Sequence, residues 1–242
     1  MQSSHSLRSS VNESRAISVL LSARMSSLSR RDLDMISLFN ECSLEAMRKM
    51  RDNEFDLAIV DPPYGLGKRT TDGGGSNSQI RFMNDIRRSN WDDEIPSEEY
   101  FSQLRRVCKN WIIWGANYFP ISHYRAFVVW DKMTYIRTMS QVELAATSFD
   151  SPARYVKINS NDPDRIHPTQ KPVSLYCFLL NEYAKKGDKI LDTHLGSGSS
   201  AIAAYEMGFD FVGYELDKEY FDGAKKRLDN HRQQLKLFSE VS

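Results

Sequence analysis

Metal-binding cysteine pairs, long apolar runs and an excess of charge of either sign are all missing from this chain of 242 residues. Its three cysteines, Cys42, Cys108 and Cys177, are widely spaced and odd in number. That excludes a disulfide framework and a CxxC zinc site, and fits three buried thiols in a reducing compartment. The apolar run containing Tyr176–Leu180 falls far short of the ~20 residues that a bilayer requires. Lys+Arg 32 against Asp+Glu 32 gives zero formal charge, so a uniformly basic coat for a polyanion is excluded. What is present is enough for a core: 40% of residues are hydrophobic and 11% aromatic, which argues against global disorder. The length fits one domain, or one domain with a modest insertion.

Residues 1–34 differ from the rest, with eleven Ser and five Arg against three acids and no aromatic, Gly or Pro. They read as a disordered or non-native extension; an organelle transit peptide is the lesser alternative. The ordered domain is expected over 35–242. Strands are expected at Ile36–Phe39, Phe55–Val60, Trp111–Trp114, Ala126–Trp130, Arg154–Ile158, Lys189–Leu191 and Phe209–Tyr214. Helices are expected between them: at Leu44–Met50, around Tyr100–Cys108, at Val173–Lys186 after Pro172, before Gly208, and over Leu216–His231. This alternation implies βαβ units and a doubly wound, mostly parallel α/β sheet. Such sheets bind ligands beyond the carboxyl ends of their strands.

Two segments sit in that position. The first expected strand end, Asp192, runs into Thr193-His194-Leu195-Gly196-Ser197-Gly198-Ser199-Ser200-Ala201, a GxGxxA spacing between a strand and a helix. Glycines there permit a tight turn and close approach of a ligand to the backbone. Glu215 follows at the end of the next strand, where a carboxylate can accept both hydroxyls of a ribose. Together they indicate a nucleoside-containing cofactor, with NAD and S-adenosylmethionine both open. The second segment, Asp61-Pro62-Pro63-Tyr64, ends the strand Phe55–Val60. The prolines stiffen the turn. Asp61 and the Pro63 carbonyl offer two acceptors, and Tyr64 offers an aromatic face. Two acceptors on the N–H groups of a nucleobase amine would aim its lone pair at an electrophile while the ring stacks.

With these residues in this order, the chain resembles the β-class, circularly permuted N6-adenine/N4-cytosine DNA methyltransferases. Asp192–Ser200 is similar to the cofactor loop of that family, Glu215 to its ribose acid, and His167-Pro168-Thr169-Gln170-Lys171-Pro172 to the segment preceding the loop. Trp114–Phe119 and Val129–Lys132 resemble strand ends near the base pocket. The resemblance implies a Rossmann-like S-adenosylmethionine-dependent methyltransferase fold with an antiparallel strand, Ile36–Phe39 filling the slot left by permutation. It implies S-adenosyl-L-methionine held by Asp192, His194, Gly196, Ser197, Gly198, Glu215 and Thr169, with Lys171 near the methionine carboxylate. Asp61, Pro62, Pro63 and Tyr64 would be catalytic, and no metal is implied. The chain departs from the pattern at Cys42, where the family carries an Asp that reaches the adenine, leaving Glu41 as substitute, and at Thr193 and His194 in place of Pro and Phe.

The implied activity is site-specific methyl transfer to a flipped base in double-stranded DNA. Asp rather than Ser at position 61 leans towards adenine N6 over cytosine N4. An NAD-dependent oxidoreductase and a catalytically dead DNA-binding module are the rivals. The Gly- and Ser-rich stretch 65–95 reads as a flexible loop in which Lys68, Arg69, Arg81, Arg87 and Arg88 would meet phosphates. Residues 134–165 are the only room for a target-recognition segment. That is small, which leaves a short target or a homodimer to be expected. A cognate restriction endonuclease is a further expected partner, a membrane is not, and the cytoplasm of a bacterium or phage host is the expected location.

Overall fold

The computed structural model describes residues 35–65, 95–122, 124–134, 140–161, 165–167 and 169–240. The Ser- and Arg-rich leader, all five loop cations from Lys68 to Arg88, and Pro168 lie outside the described residues.

Among the described residues, eight strands form one sheet. In chain order the elements are β1 (Ile36–Phe39), α1 (Ser43–Lys49), β2 (Phe55–Val60), α2 (Glu98–Val107), β3 (Cys108–Trp114), β4 (Ala126–Asp131), β5 (Val142–Thr147), β6 (Arg154–Lys157), α3 (Val173–Tyr183), β7 (Lys189–Asp192), α4 (Ser199–Met207), β8 (Asp210–Tyr214) and α5 (Lys218–Glu240). The spatial order is β1-β8-β7-β2-β3-β5-β4-β6. The first five run parallel, β5 is antiparallel to both of its neighbours, and β6 is parallel to β4.

The centre of the sheet is covered on both sides, which is why β2 reads as a continuous apolar run rather than an alternation. Leu57 and Ile59 face a core shared with Leu175 and Leu179 of α3, Ala201 and Ile202 of α4, and Ala224 and Leu228 of α5. Ala58 and Val60 face the other way, towards Met47 of α1 and Tyr100, Phe101 and Leu104 of α2. Burying each large side chain of this kind is worth roughly 1.5–3 kcal/mol. β1 pairs with β8 from Ile36↔Phe211 to Phe39↔Tyr214, so the first described strand completes the half of the sheet that follows the glycine loop.

Several expected boundaries shift. α2 stops at Val107 because Cys108 is already extended, with φ −119° and ψ 137°, and β3 starts there without a loop. α3 ends at Tyr183, three residues before Lys186, since Ala184 turns extended and Gly187 takes φ +93° in the following turn. Pro172 caps α3 rather than entering it. α5 runs on to Glu240. The largest difference is β5: within 134–165, read as room for target recognition, Val142–Thr147 is an internal strand of the sheet and Arg154–Lys157 its edge.

Candidate active site

The parallel strands β2, β7 and β8 end side by side, and the turns leaving them frame one cavity of about 830 Å³. Its wall includes Asp61 and Pro63, from the turn after β2, and Gly196, Ser197 and Glu215. Glu41, His167, Thr169, Lys171, His194, Tyr100 and Tyr176 complete much of the remainder.

The glycine loop follows from local chemistry. Gly196 and Gly198 both take positive φ, +52° and +76°, a region that costs a side chain of L configuration about a kcal/mol or more. Asp192, at the tip of β7, is buried at 1% exposure and anchors the loop from below. It accepts the His194 backbone N–H at 3.0 Å and the Ser200 hydroxyl at 2.6 Å. Burial raises its carboxyl to about 7, against the pull of those two donors. Glu215 anchors the loop from the next strand, accepting the Gly196 N–H at 2.8 Å and the Asp217 N–H at 2.9 Å. Its burial likewise raises the carboxyl. Each oxygen of Glu215 keeps acceptor capacity towards the cavity. Thus Gly196, Ser197, His194 and Glu215 reach the wall, whereas Asp192 and Gly198 lie behind it, shaping the loop. Gly198 abuts Ala224 of α5, which a Cβ would meet at 3.1 Å.

His194 stands edge-on to Tyr100 at 5.3 Å, and its Nδ1 is 3.0 Å from the Thr193 hydroxyl. That hydroxyl is also 2.6 Å from Tyr100 Oη. Burial lowers the imidazole of His194 to about 4, so the ring is neutral near pH 7 and packs as a polar replacement for an aromatic. His167 is also held at about 4, by burial and then by Lys171, and lies edge-on to Tyr220 at 4.3 Å.

The turn after β2 differs from its simplest expectation in two ways. Tyr64 does not line the cavity; its hydroxyl donates to Asp61 Oδ1 at 2.6 Å, and its ring stacks on Tyr118 with centroids 4.9 Å apart and 16° between planes. Lys171, expected at a methionine carboxylate, is 3% exposed, and its Nζ donates to Asp61 Oδ2 at 2.5 Å. The same Nζ is 3.0 Å from Glu143 Oε2 on β5, and Glu143 Oε1 accepts from Lys132 Nζ at 3.1 Å. Two carboxylates therefore hold the lysine before any ligand competes for it. Burial raises the Asp61 carboxyl, with Lys171 and Tyr64 opposing and Glu143 assisting. Burial also favours a neutral Lys171, but Asp61 and Glu143 outweigh it and the amine stays charged.

Sequence reasoning did not single out Glu143, Tyr100 or Tyr176. For Glu143 the available signal was one acid within the short apolar stretch Val142–Thr147, which the strand reading passed over. Pro62 is buried within the turn. Among the described residues no cluster of His, Cys, Asp or Glu could hold a metal ion, and no helix is long and apolar enough to cross a membrane.

Comparison with known proteins adds a family match and a shared fold. A family model described as DNA methylase matches residues 121–226. Type II methyltransferase M.HpaI of Haemophilus parainfluenzae is 25% identical over 231 residues, covering 78% of this chain and 72% of the relative. Type II methyltransferase M2.DpnII of Streptococcus pneumoniae is 25% identical over 243 residues, covering 79% and 89%. Among solved structures, the M1.HpyAVI–SAM complex superposes with a TM-score of 0.51 at 18% identity, covering 80% of this chain and 99% of that one. The cytosine-N4-specific PvuII DNA methyltransferase gives 0.54 at 11% identity, covering 83% and 92%. The fold is the Rossmann-like α/β fold of those enzymes.

Proposed function

From its match to a DNA methylase family model and its likeness to Type II methyltransferases, we propose that the chain is a site-specific DNA methyltransferase that uses S-adenosyl-L-methionine and acts on adenine N6. One observation carries the reading: the acceptor pair Asp61 and Pro63 shares the wall of a single cavity with Glu215 and the glycine loop. At about 830 Å³ that cavity suits a nucleoside and a second flat ring. The donor set also fits: a ribose asks for a carboxylate such as Glu215, and a close backbone for a left-handed glycine such as Gly196.

When bound, S-adenosyl-L-methionine supplies an electrophilic methyl group on a sulfonium. The chain's own part is binding and orientation. Glu215 would accept from the ribose hydroxyls, Glu41 would serve the adenine, and Ser197 and Thr169 would help to hold the amino-acid part. Asp61 and the Pro63 carbonyl accept the two N–H groups of the base amine and turn its lone pair towards the methyl. Asp61 accepts a proton from the nitrogen as the new bond forms. Tyr64 holds Asp61 through its hydroxyl, and its ring walls the base once Tyr118 yields. The amine belongs to a base flipped out of double-stranded DNA, with Lys68, Arg69, Arg81, Arg87 and Arg88 as phosphate contacts. Asp rather than Ser at position 61 supports adenine N6.

The test incubates the protein with labelled S-adenosyl-L-methionine and unmethylated DNA, then identifies the modified base. N6-methyladenine is the expected product, and N4-methylcytosine would replace that target. Asp61→Ala is expected to abolish transfer while leaving cofactor affinity within about threefold, under ~1 kcal/mol. No label in DNA despite cofactor binding would reduce the chain to a DNA-binding module. Thermal protection by NADH alone would reopen the oxidoreductase reading.

A further inference from the structure

We propose that Glu143 is a positioning residue for this methyl transfer: from β5 it shares the Lys171 ammonium with Asp61, and that sharing sets how strongly Asp61 accepts from the substrate amine. The inference rests on the proposed activity and adds a member to its site that neither of the strand-end motifs contains.

The arrangement is a buried line of alternating charge. Lys132 Nζ is 3.1 Å from Glu143 Oε1, Glu143 Oε2 is 3.0 Å from Lys171 Nζ, and Lys171 Nζ is 2.5 Å from Asp61 Oδ2. The side chain of Lys171 is 2% exposed and that of Asp61 14%, so water does little to screen the line. A lone buried lysine on Asp61 would form a closed pair, with the carboxylate fully neutralised and weak as an acceptor. Glu143 opposes this by pairing with the same ammonium. Lys132 in turn keeps Glu143 from being an uncompensated buried charge. Among the described residues, the other titratable groups that act on Asp61 or feel its charge are the hydroxyls of Tyr64, Tyr100 and Tyr176 and the carboxyl of Asp192. The three hydroxyls stay neutral because burial raises them. The charges that tune Asp61 are therefore chiefly Lys171 and Glu143.

The reaction gives that tuning a purpose. As the N–C bond forms and the S–C bond breaks, sulfur keeps the electron pair and becomes a neutral thioether. The nitrogen then carries one proton too many, and an Asp61 carboxylate oxygen takes it before releasing it to bulk water. A base matched to the working pH does this best, and positioned bases contribute about 10²–10⁴-fold.

The experiment measures single-turnover methyl transfer against pH for the full chain, with S-adenosyl-L-methionine affinity by calorimetry and thermal unfolding alongside. In Glu143→Gln, Lys171 turns wholly to Asp61, so the acid limb of the profile moves down by at least half a pH unit. The plateau rate falls about tenfold, and cofactor affinity changes less than threefold. Lys132→Met leaves Glu143 less compensated and moves the same limb up. Glu143→Asp restores part of the rate. Limbs that stay with the wild type in both variants, or that move in the same direction, overturn the inference; if Glu143→Gln does not fold, the upward shift in Lys132→Met decides alone. A wild type that transfers no methyl group at all instead overturns the proposed function.

Discussion

Gly115 governs where the ring of Tyr64 can lie. It sits at φ +76° just after β3, and a Cβ there would stand 2.3 Å from Tyr64 Cε1 and 2.6 Å from Cδ1. Only a residue without a side chain lets the ring pack against this backbone while its hydroxyl reaches Asp61. Gly115→Ala is expected to cost about 1–3 kcal/mol of stability, read from urea denaturation. It should also lower single-turnover transfer at least tenfold with cofactor affinity unchanged. At this scale the motif residues were legible one by one, because Asp61, Pro63 and Glu215 each follow closely on a strand recognisable from its own residues. Their pairings were not. That Lys171 lies between Asp61 and Glu143 depends on β5 folding next to β3, and nothing near Lys171 in the chain reports it. The same holds for Tyr118, whose ring covers a face of Tyr64 that the sequence suggested was open.

Among elements, the loop between β7 and α4 is held from three directions: by Asp192 below, by Glu215 from β8, and by α5 from outside. Arg227 of α5 donates to the Ser197 carbonyl at 3.1 Å and the Ser199 hydroxyl at 2.7 Å. Gly198 lies where α5 comes closest, with φ +76° and the Ala224 backbone oxygen 3.3 Å from any added Cβ. Gly198→Ala is expected to destabilise the fold by about 1–2 kcal/mol, seen as a lower denaturant midpoint, and to weaken cofactor binding through Ser197. The strands around this loop were readable because Phe55–Val60 and Phe209–Tyr214 are short, apolar and β-rich. β5 was hidden for the opposite reason. In Val-Glu-Leu-Ala-Ala-Thr the acid and the two alanines break the apolar signature, although Ala145 and Ala146 are fully buried against neighbouring strands. Helix ends were harder to place, since α2 passes into β3 with no Gly, Pro or polar residue between them.

For the whole molecule, buried titrating groups pull stability in opposite directions with pH. His167 is held at about 4, below its free value of 6.5. Its contribution is therefore complete above pH 6.5 and disappears as the pH falls through 4. Asp192, raised to about 7, contributes below about pH 4 and loses its contribution as the pH rises through 7. The two partly cancel in between, so the difference between variants isolates one of them. His167→Gln is expected to lose about 2 kcal/mol less than the wild type between pH 7 and pH 4.5. Urea titrations of both proteins at the two pH values check this.

The pairing of β1 with β8 also sets an order of events during synthesis. β1 precedes the other described strands in the chain, yet its sheet partner is β8. The Asn40 amide that ties the end of β1 to the Glu215 carbonyl at 2.8 Å spans 175 positions. Long-range closures of this kind form late. A nascent chain can pack β2 against β3 and bring α2 onto them while Ile36–Phe39 is still without its neighbour. The rim that carries Glu215 then forms after the centre of the sheet, so the ability to bind a ligand comes with the β1–β8 closure.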